Sequence, residues 1–366
     1  MPSIENNVNR VLCPGSGVIM KTKNLAGTRY ARQESRFDMQ IGTIGTGPIV
    51  ETFLAACQQV PSVQVGAVYS RSSEKAAALA SRFDIARTYT KLDELLGDPA
   101  IDTIYIALPN SLHFAQAVQA LQANKHVILE KPLTSTLAEA QALVDLAQER
   151  GLYLFEAIST RHLTNYRQVR QDLSDIGPVR LIQCNYSQYS SRYTQLLAGE
   201  VTNIFDPAFS GGCLYDLNIY NLHFVIGLFG QPQAVHAYAN KAFNGIDTSG
   251  TVILEYDGFI ATCSAAKDSA SPSFQIIQGE KGTIDVAGPV NSCPSYEIRT
   301  GSRQDHVNLQ TQENRLVYEI EAFADCLDSQ DWDQAQSWIE QSLLVMEVLE
   351  KARHAAGIVF GVDQAT

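Results

Sequence analysis

Between residues 40 and 155 the chain repeats one pattern. A short run of β-branched and apolar residues is followed by a turn, then by apolar positions at helical spacing. The runs are 40–44 (QIGTI), 63–69 (VQVGAVY), 103–108 (TIYIAL), 126–129 (HVIL) and 152–155 (LYLF). Residues 73–82, 112–123 and 137–150 between them read as helices. Strands separated by helices of this length form βαβ units, and so a parallel sheet. Right-handed crossovers then bring all the strand C-termini to one edge. The pattern predicts an α/β domain built on a parallel sheet over residues 39–160.

After residue 160 the rhythm changes. One helical stretch, 162–173, precedes the turn Ile176-Gly177-Pro178. Runs of strand character follow at 179–189, 234–239, 248–256, 259–265, 274–278 and 283–286. Asp257-Gly258 between two of them is a hairpin signal. Successive strands of this kind predict a mostly antiparallel sheet, hence an α+β domain over 161–366. Helices are expected at 212–228, 315–327 and 335–356. Residues 1–38 show no sustained periodicity and read as a disordered or extra N-terminal arm.

A length of 366 residues fits about two domains of roughly 100–200 residues each. The formal charge of −12 lacks the basic excess of a nucleic-acid binder, so no such partner is expected. No apolar run reaches the ~18 residues of a membrane helix. Seven cysteines at wide spacings, with no CxxC, suggest neither a metal site nor a disulfide framework. A cytoplasmic setting fits that usage.

Chemistry concentrates at the ends of the predicted parallel strands. Gly45-Thr46-Gly47-Pro48-Ile49-Val50 follows the first strand and opens a helix, the context of a dinucleotide-binding turn. Gly45 permits the tight turn, and Gly47 lets backbone approach a pyrophosphate at the helix N-terminus. Pro48 suits the first helical position. Val50 stands where Gly or Ala is expected. The second strand ends in Ser70-Arg71, with no acidic residue for a ribose 2′-hydroxyl. Ser and Arg suit a 2′-phosphate, so NADP is favoured, with NAD the alternative. Pro109-Asn110 and His113 follow the third strand. Asn110 suits a helix N-cap or a ribose contact, and His113 lies one turn on, near the crevice.

Glu130-Lys131-Pro132 ends the fourth strand. A lysine there points into the crevice where such sheets hold ligands, and a cis Lys131-Pro132 bond would aim it inward. Further on, Asp216 and Tyr220 lie four apart, and His223 three beyond, as a polar stripe on an apolar helix. A lysine ammonium beside Tyr220 would favour its phenolate. Tyr186, Tyr189, Arg192 and Tyr193 could stack on or bond a sugar, or simply line a sheet.

On these residues the chain resembles the Gfo/Idh/MocA family, from about Gln40 to the final helix. The resemblance rests on the glycine turn, Pro109-Asn110 with His113, Lys125-His126-Val127 and Glu130-Lys131-Pro132. Gly211-Gly212 with Asp216 and Tyr220, and Gly279-Glu280-Lys281-Gly282-Thr283, extend it. It implies a Rossmann domain followed by a domain with a large open sheet that often joins subunits, here into a homodimer or homotetramer. It implies NAD(P)-dependent oxidation or reduction of sugars, cyclitols and related alcohols. Lys131, Asp216 and Tyr220 match the family's catalytic positions; inositol dehydrogenases carry His where Tyr220 stands. Asn218 replaces a common Gly, so it and His223 are candidate substrate contacts.

The expected function is hydride transfer between NADP and a hydroxyl or carbonyl of a sugar-like or dihydrodiol-like substrate. The expected cofactor contacts are Gly45, Thr46, Gly47, Pro48, Ile49, Ser70, Arg71, Pro109, Asn110, His113, Glu130 and Lys131. Either Tyr220 or Lys131 would move the proton, with Asp216 orienting Lys131 or binding a substrate hydroxyl. An NAD-dependent glycosidase and a non-catalytic NADP-binding sensor are the alternatives.

Overall fold

The computed structural model describes residues 38–364. Residues 1–37 of the expected N-terminal arm lie outside them. The first sheet contains β1 (Met39–Ile44), β2 (Val63–Tyr69), β3 (Arg87–Tyr89), β4 (Thr103–Ile106), β5 (His126–Glu130) and β6 (Leu154–Ala157). All its pairs are parallel, in the order β3-β2-β1-β4-β5-β6. The order reverses between β1 and β4, the point where such sheets hold ligands. Its helices are α1 (Pro48–Cys57), α2 (Ser73–Phe83), α3 (Leu92–Leu96), α4 (His113–Gln122) and α5 (Leu137–Glu149). Local chemistry sets several starts. Pro48 opens α1, the Ser72 hydroxyl caps α2, and Thr136 with Glu139 forms a reciprocal capping box on α5. β4 and β6 are buried along their whole length, as expected of strands covered on both faces, and Glu156 is the charged residue buried among them.

After α6 (Thr164–Asp172) comes β7 (Val179–Ser187), then α7 (Ser191–Leu197). A π-helical turn, Leu214–Asn218, leads into α8 (Ile219–Phe229). The strands β8 (Ala234–Lys241), β9 (Asp247–Tyr256), β10 (Phe259–Ala266), β11 (Phe274–Gly279), β12 (Gly282–Ala287), β13 (Ser295–Thr300) and β14 (Gln304–Val307) complete the second sheet. Its order is β14-β13-β12-β11-β7-β10-β9-β8. Every neighbouring pair is antiparallel except β7 with β10.

Two helices close the chain, α9 (Leu316–Asp328) and α10 (Trp332–Ala355). They do not stay with the second sheet. α9 packs against α1, and α10 packs against α5 and β6 as well as α8 and β8. Stacked rings mark the seam, Phe155 on Phe323 at 4.6 Å and Tyr153 on Trp332 at 3.8 Å.

The sequence pattern does not mark β3, α3, α7, β13 or β14. β3 has three residues and α3 five, too few to show a period. Asp98 holds that corner instead, accepting from Arg87 at 2.7 Å and Tyr89 at 3.0 Å.

Candidate active site

Gly45 takes φ +123°, and a Cβ there would stand 2.4 Å from the Ala107 carbonyl oxygen. Any side chain would break the contact between the β1 and β4 ends. Gly47 is different: among the described residues a Cβ there would meet nothing within 4 Å. The backbone face it leaves bare lies at the N-terminus of α1, which no side chain among the described residues caps. Uncapped N–H groups beneath an open glycine form a cradle for a phosphate, so the turn fits a dinucleotide. Thr46 and Ile49 flank it half-buried, and Pro48 is exposed. Val50 is fully buried, its methyl 3.5 Å from the Cβ position of Gly45, so it packs the turn from below.

Beyond β2, the Ser70 hydroxyl accepts from the Ser72 N–H at 3.2 Å, which shapes the entry to α2. Arg71 is exposed, and no hydrogen bond or ion pair holds its guanidinium among the described residues. It is available to an anion arriving at that strand end.

Lys131 follows β5, and its bond to Pro132 is cis. Its side chain spans the gap to the helix that starts the second half of the molecule. Nζ donates to Asp216 Oδ1 and to the Asp216 carbonyl oxygen, each at 2.9 Å. The same ammonium sits 5.0 Å from the centroid of the Tyr220 ring. Asp216 lies in the π-helical turn and Tyr220 in the first turn of α8. Distorted turns of this kind recur at functional sites. A second lysine completes the cluster: Lys267, just past β10, donates to Asp216 Oδ2 at 2.5 Å.

Burial opposes every charge here, but the pairing wins. Burial would lower the pKa of Lys131; Asp216, with Tyr220 and Glu130, outweighs it and holds the ammonium well above its ordinary range. Burial would raise the Asp216 carboxyl, yet the two lysines hold it well below. Tyr220 departs from expectation. Its burial raises the phenol, and the lowering by Lys131 does not overcome that, so the group is protonated rather than poised as phenolate. Glu130 lies behind Lys131, accepting from the Tyr105 hydroxyl at 2.7 Å and the Lys131 N–H at 3.3 Å.

Four expected contacts are placed otherwise. The Asn110 side chain caps no helix; Nδ2 donates to the Ser210 carbonyl at 2.7 Å and ties the two halves of the cleft. Pro109 precedes it half-buried. His113 is fully buried, its ring nitrogens 2.8 Å from the Pro132 and 2.9 Å from the Leu108 carbonyl oxygens. Both edges are thus committed to main chain, leaving none for a cofactor. His223 is 1% exposed, with Nε2 3.2 Å from Glu156 Oε2, and burial drives its imidazole toward the neutral form. It belongs to the packing between β6 and α8, not to the cleft. Asn218 donates to the Cys263 carbonyl at 2.8 Å and accepts from Asn221 at 2.9 Å, beneath the sheet. The helical stripe misled for His223, which lies past the π turn and so falls off the face that Asp216 and Tyr220 share.

Sequence reasoning missed Lys267. Its signal was available: Ala265-Ala266-Lys267-Asp268 is a charged pair at the end of an apolar run, the feature that singled out Lys131. Tyr186 meets the Tyr220 ring edge-on at 6.0 Å.

Two family models match. Residues 39–158 match the oxidoreductase family with an NAD-binding Rossmann fold, and residues 166–285 the GFO/IDH/MocA C-terminal domain. The chain is 36% identical to the scyllo-inositol 2-dehydrogenase (NADP(+)) IolU of Bacillus subtilis over 328 residues, covering 89% of this chain and all of the relative. It is 28% identical to the trans-1,2-dihydrobenzene-1,2-diol dehydrogenase of Sus scrofa over 341 residues, 88% of this chain and 98% of that one. Among solved structures, the 3-ketoreductase KijD10 of Actinomadura kijaniata, in complex with NADP and TDP-benzene, superposes with a TM-score of 0.76. That likeness covers 87% of this chain and 97% of the other at 23% identity, so it speaks for the fold. Matches that take in both sheets, and a relative covered from end to end, make this chain a member of the Gfo/Idh/MocA oxidoreductase family.

Proposed function

We propose that this chain is an NADP-dependent oxidoreductase working at a hydroxyl or carbonyl of a carbohydrate-like substrate: a cyclitol, a sugar or a dihydrodiol. The observation that carries the reading is the convergence of Lys131, Asp216 and Tyr220 at the C-terminal edge of the parallel sheet, alongside the Gly45–Gly47 cradle. Residues 39–160 serve as the nucleotide-binding domain and 161–366 as the substrate and oligomerisation domain. The relatives named for scyllo-inositol and for a dihydrodiol support that substrate class.

NADP, when bound, supplies or accepts the hydride at the substrate carbon. The Gly45–Ile49 backbone would hold its pyrophosphate, and Ser70 and Arg71 would hold its 2′-phosphate. In reduction, Tyr220 gives its phenolic proton to the carbonyl oxygen; in oxidation the same oxygen takes the hydroxyl proton back. Lys131 remains an ammonium and stabilises negative charge on the reacting oxygen. Asp216 orients Lys131. Subunits pair through the open face of the second sheet into a homodimer or homotetramer. The described cysteines are unpaired and buried, which supports a reducing, cytoplasmic setting.

The test is a turnover screen with NADP and NAD over scyllo-inositol, other cyclitols, aldoses and dihydrodiols, read by reduced-cofactor absorbance. We expect turnover with NADP, and a loss of roughly 10²–10⁴-fold in kcat for Tyr220→Phe. Lys131→Ala should fall at least as far. Near-wild-type turnover in both variants would falsify the assignment.

A further inference from the structure

Lys267 is fastened twice by its own main chain. Its N–H donates to the Thr248 carbonyl at 2.8 Å, and its carbonyl accepts from Ser190 N–H at 2.9 Å. The side chain is therefore not needed to hold the strand end in place. Yet it is nearly buried, and its Nζ reaches Asp216 Oδ2 at 2.5 Å. Burying an ammonium is costly unless it is paired. The partner it takes is one that Lys131 already holds at 2.9 Å through the other oxygen.

Charge counting gives the consequence. A lone Lys–Asp pair is neutral and projects little field. Two ammonium groups on one carboxylate carry one net positive charge, in a place where burial makes charges felt strongly. We propose that Lys267 is a positioning residue for the reaction: it occupies one oxygen of Asp216 and so leaves the charge of Lys131 uncancelled beside Tyr220. This rests on the reading of Tyr220 as the acid–base group. The net charge favours the phenolate of Tyr220 and the oxyanion of the substrate, opposing the penalty that burial imposes on both.

Other groups around the cluster are accounted for. Glu130, from β5, is driven toward its neutral form by burial and engaged by Tyr105. Tyr186, from β7, has its phenol pushed up to about 12 by burial. Arg315, ahead of α9, adds positive charge and is bonded to the Ser159 hydroxyl at 3.3 Å. On the far side, Asp247 of β9 accepts from Leu214 N–H, and Asp268 from the Thr248 and Ser249 hydroxyls. Neither makes an ion pair with Lys267 among the described residues. The buried thiol of Cys213, beside them, is held well above its ordinary range by that burial.

The test is a tyrosinate absorbance titration of Lys267→Met and Lys267→Arg, each taken as the difference from the same protein carrying Tyr220→Phe. NADPH binding, followed by fluorescence, confirms that each variant is folded. We expect Lys267→Met to move the Tyr220 inflection up by about one pH unit, a tenfold change in its ionisation. Lys267→Arg should stay close to the parent. On a turned-over substrate, the inflection in kcat/KM for oxidation should move the same way. An unmoved Tyr220 inflection in a folded Lys267→Met protein would overturn the proposal, as would Lys267→Arg behaving like Lys267→Met. The titration needs no substrate. An active parent with an unmoved inflection sinks this inference alone, whereas a parent inactive on every cyclitol, sugar and dihydrodiol sinks the functional reading. Should Lys267→Met not fold, Lys267→Gln takes its place with the same expected shift.

Discussion

A carboxylate shared between two lysines behaves differently from one paired with a single cation. Asp216 is locked in its charged form by both partners, so neither the carboxylate nor Lys131 is expected to change protonation over the working range. Tyr220 is the group left to titrate, and burial has set it above its ordinary value. Arg71 is exposed and unengaged at the end of β2, where a charged hydrogen bond to a 2′-phosphate is worth ~1.5–3 kcal/mol. Arg71→Ala should therefore raise the KM for NADP roughly 10- to 100-fold while leaving that for NAD unchanged. Steady-state kinetics with both cofactors checks this, and an equal effect on the two would show that Arg71 does not read the phosphate.

Among the elements, α9 carries the clearest electrostatic strain. Glu319 is 1% exposed, and neither carboxylate oxygen has a hydrogen-bond partner among the described residues. Burial, then Glu130, push its pKa well above the ordinary range against the pull of Arg315 and Arg161. The folded chain thus keeps a proton that the unfolded chain releases above about pH 4.3. More protons bound in the native state means stability falls as pH rises from there toward the folded value. Glu319→Gln removes that proton uptake. Its melting temperature relative to the parent should climb between about pH 5 and pH 8, by an amount corresponding to ~1–3 kcal/mol. Thermal unfolding of both proteins across that window decides it; a constant or shrinking difference rules the account out. The helix that bears Asp216 shows another element-scale effect. Its π turn lets the carboxylate and the Tyr220 ring meet one ammonium, while turning Asn218 and His223 into the core.

For the whole molecule, the eight-stranded sheet has one face packed by α8 and α10 and one face left open among the described residues. The open face is not polar throughout. Tyr238 is 71% and Ile260 44% exposed, with Ile253, Phe274 and Ile276 half-buried on the same side. A mixed face of this breadth suits a second copy of the chain. Size-exclusion chromatography with light scattering should report a dimer or tetramer. Tyr238→Glu combined with Ile260→Lys should give a monomer that still binds NADPH. A monomeric parent at micromolar concentration would argue against pairing through this face.

The sequence by itself determined the architecture. Strand–helix alternation implied the parallel sheet, Gly45 and Gly47 the phosphate turn, and the runs after residue 179 the mostly antiparallel sheet. Each of these is a local property, legible because hydrophobic period and turn chemistry act over a few residues. Lys131 stood out as a lysine at a strand end, and Asp216 and Tyr220 as polar residues four apart on an apolar helix. Tertiary structure alone decided what surrounds them. Lys267 lies 51 residues from its partner and becomes part of the site only when β10 pairs beside β7. His113 and His223 read as site residues until packing gave their rings to main chain and to Glu156. The protonation of Tyr220 depends on burial against its neighbours' charges, a balance formed only when distant segments close over the same few atoms.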